Sequence, residues 1–99
     1  MIKNGMRPVH PGEVLREDYL VSLGMTANAL AKALNVPAPR INDIVRERRG
    51  ISADTAMRLA RYFGGDARSW LNLQAAYDLR VAEIAGAKSI EREITPATA

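Results

Sequence analysis

The chain has 99 residues, 47% of them hydrophobic, with 14 lysines and arginines against 11 acidic residues and a formal net charge of +3. That length suits one domain with one modest core, and the basic balance favours a polyanionic partner without dictating a fold. The absence of cysteine excludes disulfides and thiolate metal sites and favours a reducing compartment.

Residues 1–9 read as an irregular basic segment carrying Lys3 and Arg7, with no apolar signal core. No apolar run approaches the ~18–20 residues of a membrane span. A cytoplasmic location with no membrane contact is the expectation. The run "HPGEVLREDYLVSLG" reads as a first helix. Pro11 and Glu13 suit its first turn, Leu15, Tyr19 and Leu23 recur at helical spacing, and Gly24 stops it. Thr26 caps a second helix over about 27–34. A third begins at Pro37–Pro39 and reaches about Arg46, with Ala38 expected just outside it because a residue preceding proline resists the α region. Ser52 caps a fourth, in which Ala56, Leu59, Ala60 and Phe63 share one face before Gly64–Gly65. Asp66 caps a fifth over about 67–84, with Trp70, Leu73, Tyr77, Val81 and Ile84 along one stripe. Trp70, Leu73 and Tyr77 read first as core, while Tyr77, Val81 and Ile84 are candidates for contact with a second subunit. Residues 86–99 turn small and polar and read as a flexible tail, leaving 10–85 as the folded domain. No strand pattern competes, so the expectation is an all-α, compact five-helix domain.

The stretch "LAKALNVPAPRINDIVRERRG" halts one helix and restarts another at once. Two helices joined by a three- or four-residue turn form a helix-turn-helix, whose requirements can be checked singly. Ala31 offers the small residue at the crossing, Asn35 tolerates positive φ in the turn, and Leu34 and Val36 pin the turn to the core. Ile41, Ile44 and Val45 lie within about 60° of one another at ~100° per residue, giving the third helix one buried face. The opposite face carries Pro39, Asp43 and Arg46, flanked by Arg40 and Asn42. Arginine pairs bidentately with guanine and asparagine with adenine, so this face suits the major groove. Arg48 and Arg49 suit backbone phosphates, as do Thr26, Asn28 and Lys32 at the second helix. A charged face opposite an apolar stripe is ordinarily a solvated surface, but the complete register argues for DNA. Asp43 and Glu47 put negative charge there. Asp43 either accepts from cytosine N4 or orients Arg40 or Arg46.

"LAKALNVPAPRINDIV", "RRGISADTAMRLARYFGG" and "SWLNLQAAYDLRVAE" together resemble the HigA (VapI-like) antitoxins, a branch of the Xre/Cro–C1 helix-turn-helix family, over about residues 8–84. "HPGEVLRE", "WLNLQ" at 70–74 and "YDL" at 77–79 are particular to that branch. The resemblance implies a lambda-repressor-like domain that forms a homodimer, binds and neutralises a RelE-like mRNA-cleaving toxin, and represses its own operon at a palindromic operator. It implies base reading by Pro37, Ala38, Pro39, Arg40, Asn42 and Asp43, and a dimer contact near the C-terminal helix. Two departures stand out. Arg46 and Glu47 occupy the place of a frequent Asn-Gly pair, and Pro37 replaces a common serine or threonine cap.

No catalytic constellation is visible. His10 is the single histidine, no phosphate-cradling glycine loop exists, and Ser22, Ser52, Ser69 and Ser89 have no histidine near them in sequence. Neither an enzyme nor a cofactor, metal or small-molecule substrate is expected. The competing readings are a stand-alone transcriptional regulator without a toxin, and an interaction module that has lost DNA binding.

Overall fold

The computed structural model describes residues 7–98, and among these there are helices and connections but no strand. Helix α1 runs without a break through Pro11–Val14, Leu15–Leu20 and Val21–Leu23. Its middle stretch is wound more widely, the Val21 N–H bonding to the Arg16 carbonyl five residues back. Helices α2 (Ala27–Leu34), α3 (Ala38–Val45), α4 (Ala53–Phe63) and α5 (Ala67–Glu93) follow.

The helix starts are those the side chains dictate. Thr26, Ser52 and Asp66 each accept a backbone N–H three residues on, from Ala29, Thr55 and Ser69. His10 caps α1 in the same manner, its Nδ1 accepting the Gly12 N–H at 2.8 Å. Pro37 supplies no such cap. Ala38, expected outside α3, is its first residue, since the Arg40 N–H closes onto the Pro37 carbonyl at 3.0 Å and Ile41 is drawn fully into the core.

The first three helices end alike, each with one residue in the left-handed region and paired bonds back into the last turn. At α1 this residue is Gly24 (φ 61°), with Met25 bonded to Leu20 and Gly24 to Val21. At α2 it is Asn35 (φ 60°), with Val36 bonded to Ala31 and Asn35 to Lys32. At α3 it is Glu47 (φ 64°), with Arg48 bonded to Asp43 and Glu47 to Ile44. The turn after α3 therefore adopts the conformation an Asn-Gly pair would favour, without either residue.

Leu15, Leu30, Ile41, Ile44 and Leu59 are fully buried, and Leu20, Ala31, Leu34, Ile51, Ala56 and Trp70 complete the core. Tyr19 lies between Phe63 and Trp70, with ring centroids 4.7 and 5.3 Å away. The fifth helix corrects the expected end at 84. It continues to Glu93, nine residues further, through the stretch 86–93 read as tail. Gly86 is not among the positive-φ residues, and one helical glycine costs only about 1 kcal/mol. Among the described residues, the main helix contacts of α5 are with α1 and α4, and its residues from Val81 to Glu93 are exposed apart from Gly86. The radius of gyration is accordingly 16.4 Å, against ~13 Å for a compact domain of this size.

Candidate nucleic-acid interface

The complete burial of Ile41 and Ile44 turns the other face of α3 outward. Pro37, Pro39 and Arg46 are exposed there, and Ala38, Arg40, Asn42 and Asp43 are half-buried along it. Val45 packs against the core from the side. Arg48 and Arg49 stand exposed in the following turn, and Thr26, Asn28 and Lys32 are exposed at α2. The structure thus gathers the base-contact and phosphate-contact candidates on the helix-turn-helix and the turn that leaves it.

Two arginines from outside that motif finish its helices. The Arg16 guanidinium, on α1, donates to the Val45 carbonyl at the end of α3 and reaches Glu47 at 3.3 Å. Arg58, on α4, donates through Nη1 to the Leu34 carbonyl, the last of α2, at 2.9 Å. Cations at carbonyl-bearing helix ends satisfy orphan acceptors and oppose the helix dipole. Both partners lie far off in sequence, so only helical phase, and nothing in spacing, hinted at them.

The face of α3 is held by polar contacts. Arg40 Nη1 donates to Asp54 Oδ2 at 2.6 Å, and Arg58 Nε donates to the same oxygen at 2.9 Å. These bonds, from Arg58 first and Arg40 second, hold the Asp54 carboxyl below its usual pKa. Asn42 Nδ2 donates to Asn28 Oδ1 at 2.7 Å and to the Ala38 carbonyl at 3.0 Å. Both amide protons of Asn42 are thereby engaged, leaving its oxygen as the free group. The donor–acceptor pair needed for adenine is available only after one of those bonds opens. Asp43 approaches Arg49 at 3.5 Å. This corrects the expectation that it orients Arg40 or Arg46. Among the described residues, the side chains of Arg46, Arg48 and Lys32 carry no ion pair or hydrogen bond.

The turn carrying Arg48 and Arg49 is fastened at its far end. Gln74 Oε1 accepts the Ile51 N–H at 2.8 Å, giving the "WLNLQ" run a physical role. His10 is buried between its capping bond and Tyr77, whose ring meets it edge-on at 4.8 Å. Burial holds the imidazole pKa below its ordinary value. Among the described residues no cluster of histidine and acidic side chains is arranged to hold a metal ion, and no helix is long and apolar enough to cross a membrane.

Of the dimer-contact candidates, Tyr77 is half-buried against His10, whereas Val81 and Ile84 are 39% and 60% exposed. Leu79 and Ile90 are also exposed on α5, and Ile94 just after its end. Asp54, Arg58 and Arg16 are the residues fastening this face that sequence reasoning missed. The Asp54–Arg58 spacing of four was visible, but not the bonds onto α2 and α3.

A family model described as helix-turn-helix matches residues 15–70. A virulence-associated protein I of Dichelobacter nodosus is 68% identical over 81 residues, spanning 82% of this chain and 75% of its own length. Antitoxin HigA-1 of Vibrio cholerae is 36% identical over 80 residues, spanning 80% of this chain and 74% of its own. The solved structure of Pseudomonas aeruginosa antitoxin HigA with the higBA promoter superposes with a TM-score of 0.90 at 54% identity, covering 93% of this chain and all of that one.

Proposed function

We propose, since this chain belongs to the HigA-type antitoxins of the Xre helix-turn-helix family, that it represses its own operon as a homodimer on a palindromic operator and neutralises a RelE-like, mRNA-cleaving toxin. The observation that carries the DNA half is the burial of Ile41 and Ile44, which turns Arg40, Asn42 and Arg46 outward on one face. A relative with half its residues in common was solved on promoter DNA, which supports the same reading.

In this reading Arg40, Asn42, Asp43 and Arg46, with Pro37, Ala38 and Pro39 at the opening of α3, meet base edges. Thr26, Asn28, Lys32, Arg48 and Arg49 meet phosphates. A two-fold operator asks for a two-fold protein with half-sites about one helical turn apart. The exposed outer half of α5, with Val81 and Ile84, is the surface assigned to the second copy. The toxin is assigned to the N-terminal segment and α1. Residues 1–6 of that segment lie outside the described residues.

A mobility-shift titration with the DNA upstream of the chain's own reading frame tests the repressor half. A salt-sensitive shift saturating at two chains per site is expected. Co-expression with the neighbouring small basic reading frame tests the other half. Co-purification is expected, and its failure would favour a stand-alone regulator. Deleting residues 1–9 is expected to lower toxin affinity, and full retention would exclude that segment.

A further inference from the structure

We infer that Asp54, in the first turn of α4 and outside the helix-turn-helix, is a positioning residue that sets the base preference of Arg40. It holds one N–H of the guanidinium and leaves a two-donor edge for guanine. The inference rests on the reading of α3 as the base-reading helix.

The contact is one link in a chain of bonds. Asp54 Oδ2 accepts from Arg40 Nη1 at 2.6 Å and from Arg58 Nε at 2.9 Å. Arg58 is itself tied through Nη1 to the Leu34 carbonyl at 2.9 Å. A line of bonds therefore runs from the end of α2, through α4, to the third residue of α3. The carboxylate is held by a strut, and Arg40 is held by the carboxylate. A guanidinium carries five N–H donors in one rigid plane. One is spent on Asp54, and a parallel pair remains, the arrangement that the O6 and N7 acceptors of guanine require. An arginine without this hold would sample many rotamers and satisfy phosphate as readily as a base.

The carboxylate also opposes the wrong partner. The Asp54 side chain is 56% exposed beside the reading face, so its charge repels phosphate where Arg40 would otherwise drift. Exposed pairs of this kind add little to folding stability. Their removal should therefore alter sequence preference far more than melting.

Selection from a library of random duplexes, with the full chain, tests this. The wild type is expected to enrich a motif with guanine at one position in each half-site, and Arg40→Ala to lose that guanine. Asp54→Asn is expected to lose about tenfold of the discrimination at the same base pair, with unchanged or tighter binding to an arbitrary duplex at low salt and a melting midpoint within a few degrees of wild type. Arg58→Gln removes the strut while leaving Asp54 in place, and should weaken the same preference. It decides the matter if Asp54→Asn fails to fold. A wild-type motif that persists in both variants, or a loss at a base pair that Arg40→Ala leaves intact, overturns the inference alone. Failure of the wild type to enrich any motif overturns the base-reading assignment, and this inference with it.

Discussion

A β-carbon on Gly12 would stand 1.8 Å from the carbonyl oxygen of Ile44. The start of α1 thus rests directly on the backbone of α3, and no side chain separates them. This contact and the Arg16 bond to Val45 fix the angle at which α3 is presented. Gly12→Ala is expected to destabilise the fold by about 2–3 kcal/mol, the upper range for an overpacked site, or some 10–20 °C in melting midpoint. Calorimetry checks this, and a midpoint within two or three degrees of wild type would show that α1 can lift away freely.

Arg40 and Arg48 should fail differently. Arg40→Ala is expected to cost about 1–3 kcal/mol on the preferred site and to relax preference locally. Arg48, exposed and unpaired, should act on phosphate. Arg48→Ala should weaken all duplexes alike and reduce the salt slope by about one unit. Titrations on specific and scrambled duplexes at several salt concentrations separate the two. A loss confined to the preferred site would contradict the role given to Arg48.

Glu47 occupies the left-handed region at φ 64°. That conformation costs a non-glycine residue roughly 1–2 kcal/mol, and its half-exposed pair with Arg16 returns at most about 1 kcal/mol. Glu47→Gly is therefore expected to stabilise the protein by about 0.5–1 kcal/mol in chemical denaturation, and Glu47→Val to destabilise it. A destabilised glycine variant would mean that the Arg16 contact outweighs the strain.

His10 makes stability depend on pH near neutrality. Its Nδ1 must be unprotonated to accept the Gly12 N–H, and burial lowers its pKa below the ordinary 6.5. The unfolded chain takes up this proton near pH 6.5 while the folded chain refuses it, so stability is full above that value and declines as pH falls toward the folded one. Denaturation midpoints should drop between pH 7.5 and 5.5 and stay level in His10→Asn, which keeps a capping oxygen. Glu13, Asp54 and Asp66 are held below their ordinary values by Arg7, by Arg58 and by the Ser69 N–H. Their contributions vanish only at more acid pH and do not confuse the test.

Ile84→Asp should leave the melting midpoint of a dilute sample nearly unchanged, because the residue is 60% exposed in the single chain. The same change is expected to turn a dimer into a monomer by analytical ultracentrifugation. A variant that sediments as the wild type does would move the subunit contact elsewhere.

The five helices were legible because Thr26, Ser52 and Asp66 each cap where their chemistry requires, and because Asn35 is the one residue of its turn suited to positive φ. The outward side of α3 followed from the phase of Ile41 and Ile44 alone. The fastenings of that helix were not legible. Arg58 reaches Leu34 across 24 residues and Arg16 reaches Val45 across 29, and an arginine on a helix surface looks the same in sequence whether it is solvated or capping a neighbour. The length of α5 was not legible because the composition from residue 86 onward, small and polar, reads as tail. The alanine, lysine, glutamate and arginine around Gly86 favour helix strongly enough to carry the chain through.

From Val81 to Glu93 every residue of α5 except Gly86 is exposed in the single chain. Leu79 and Ile90 share one side of this helix at ~100° per residue and Ile84 lies on another, and all three are exposed in the single chain. Amide hydrogens along this stretch therefore exchange at a rate set by its surroundings. In a dilute solution protection should fade beyond the last turn that rests on α1, and it should return as the protein is concentrated. The far end of the molecule thus serves as a gauge of company.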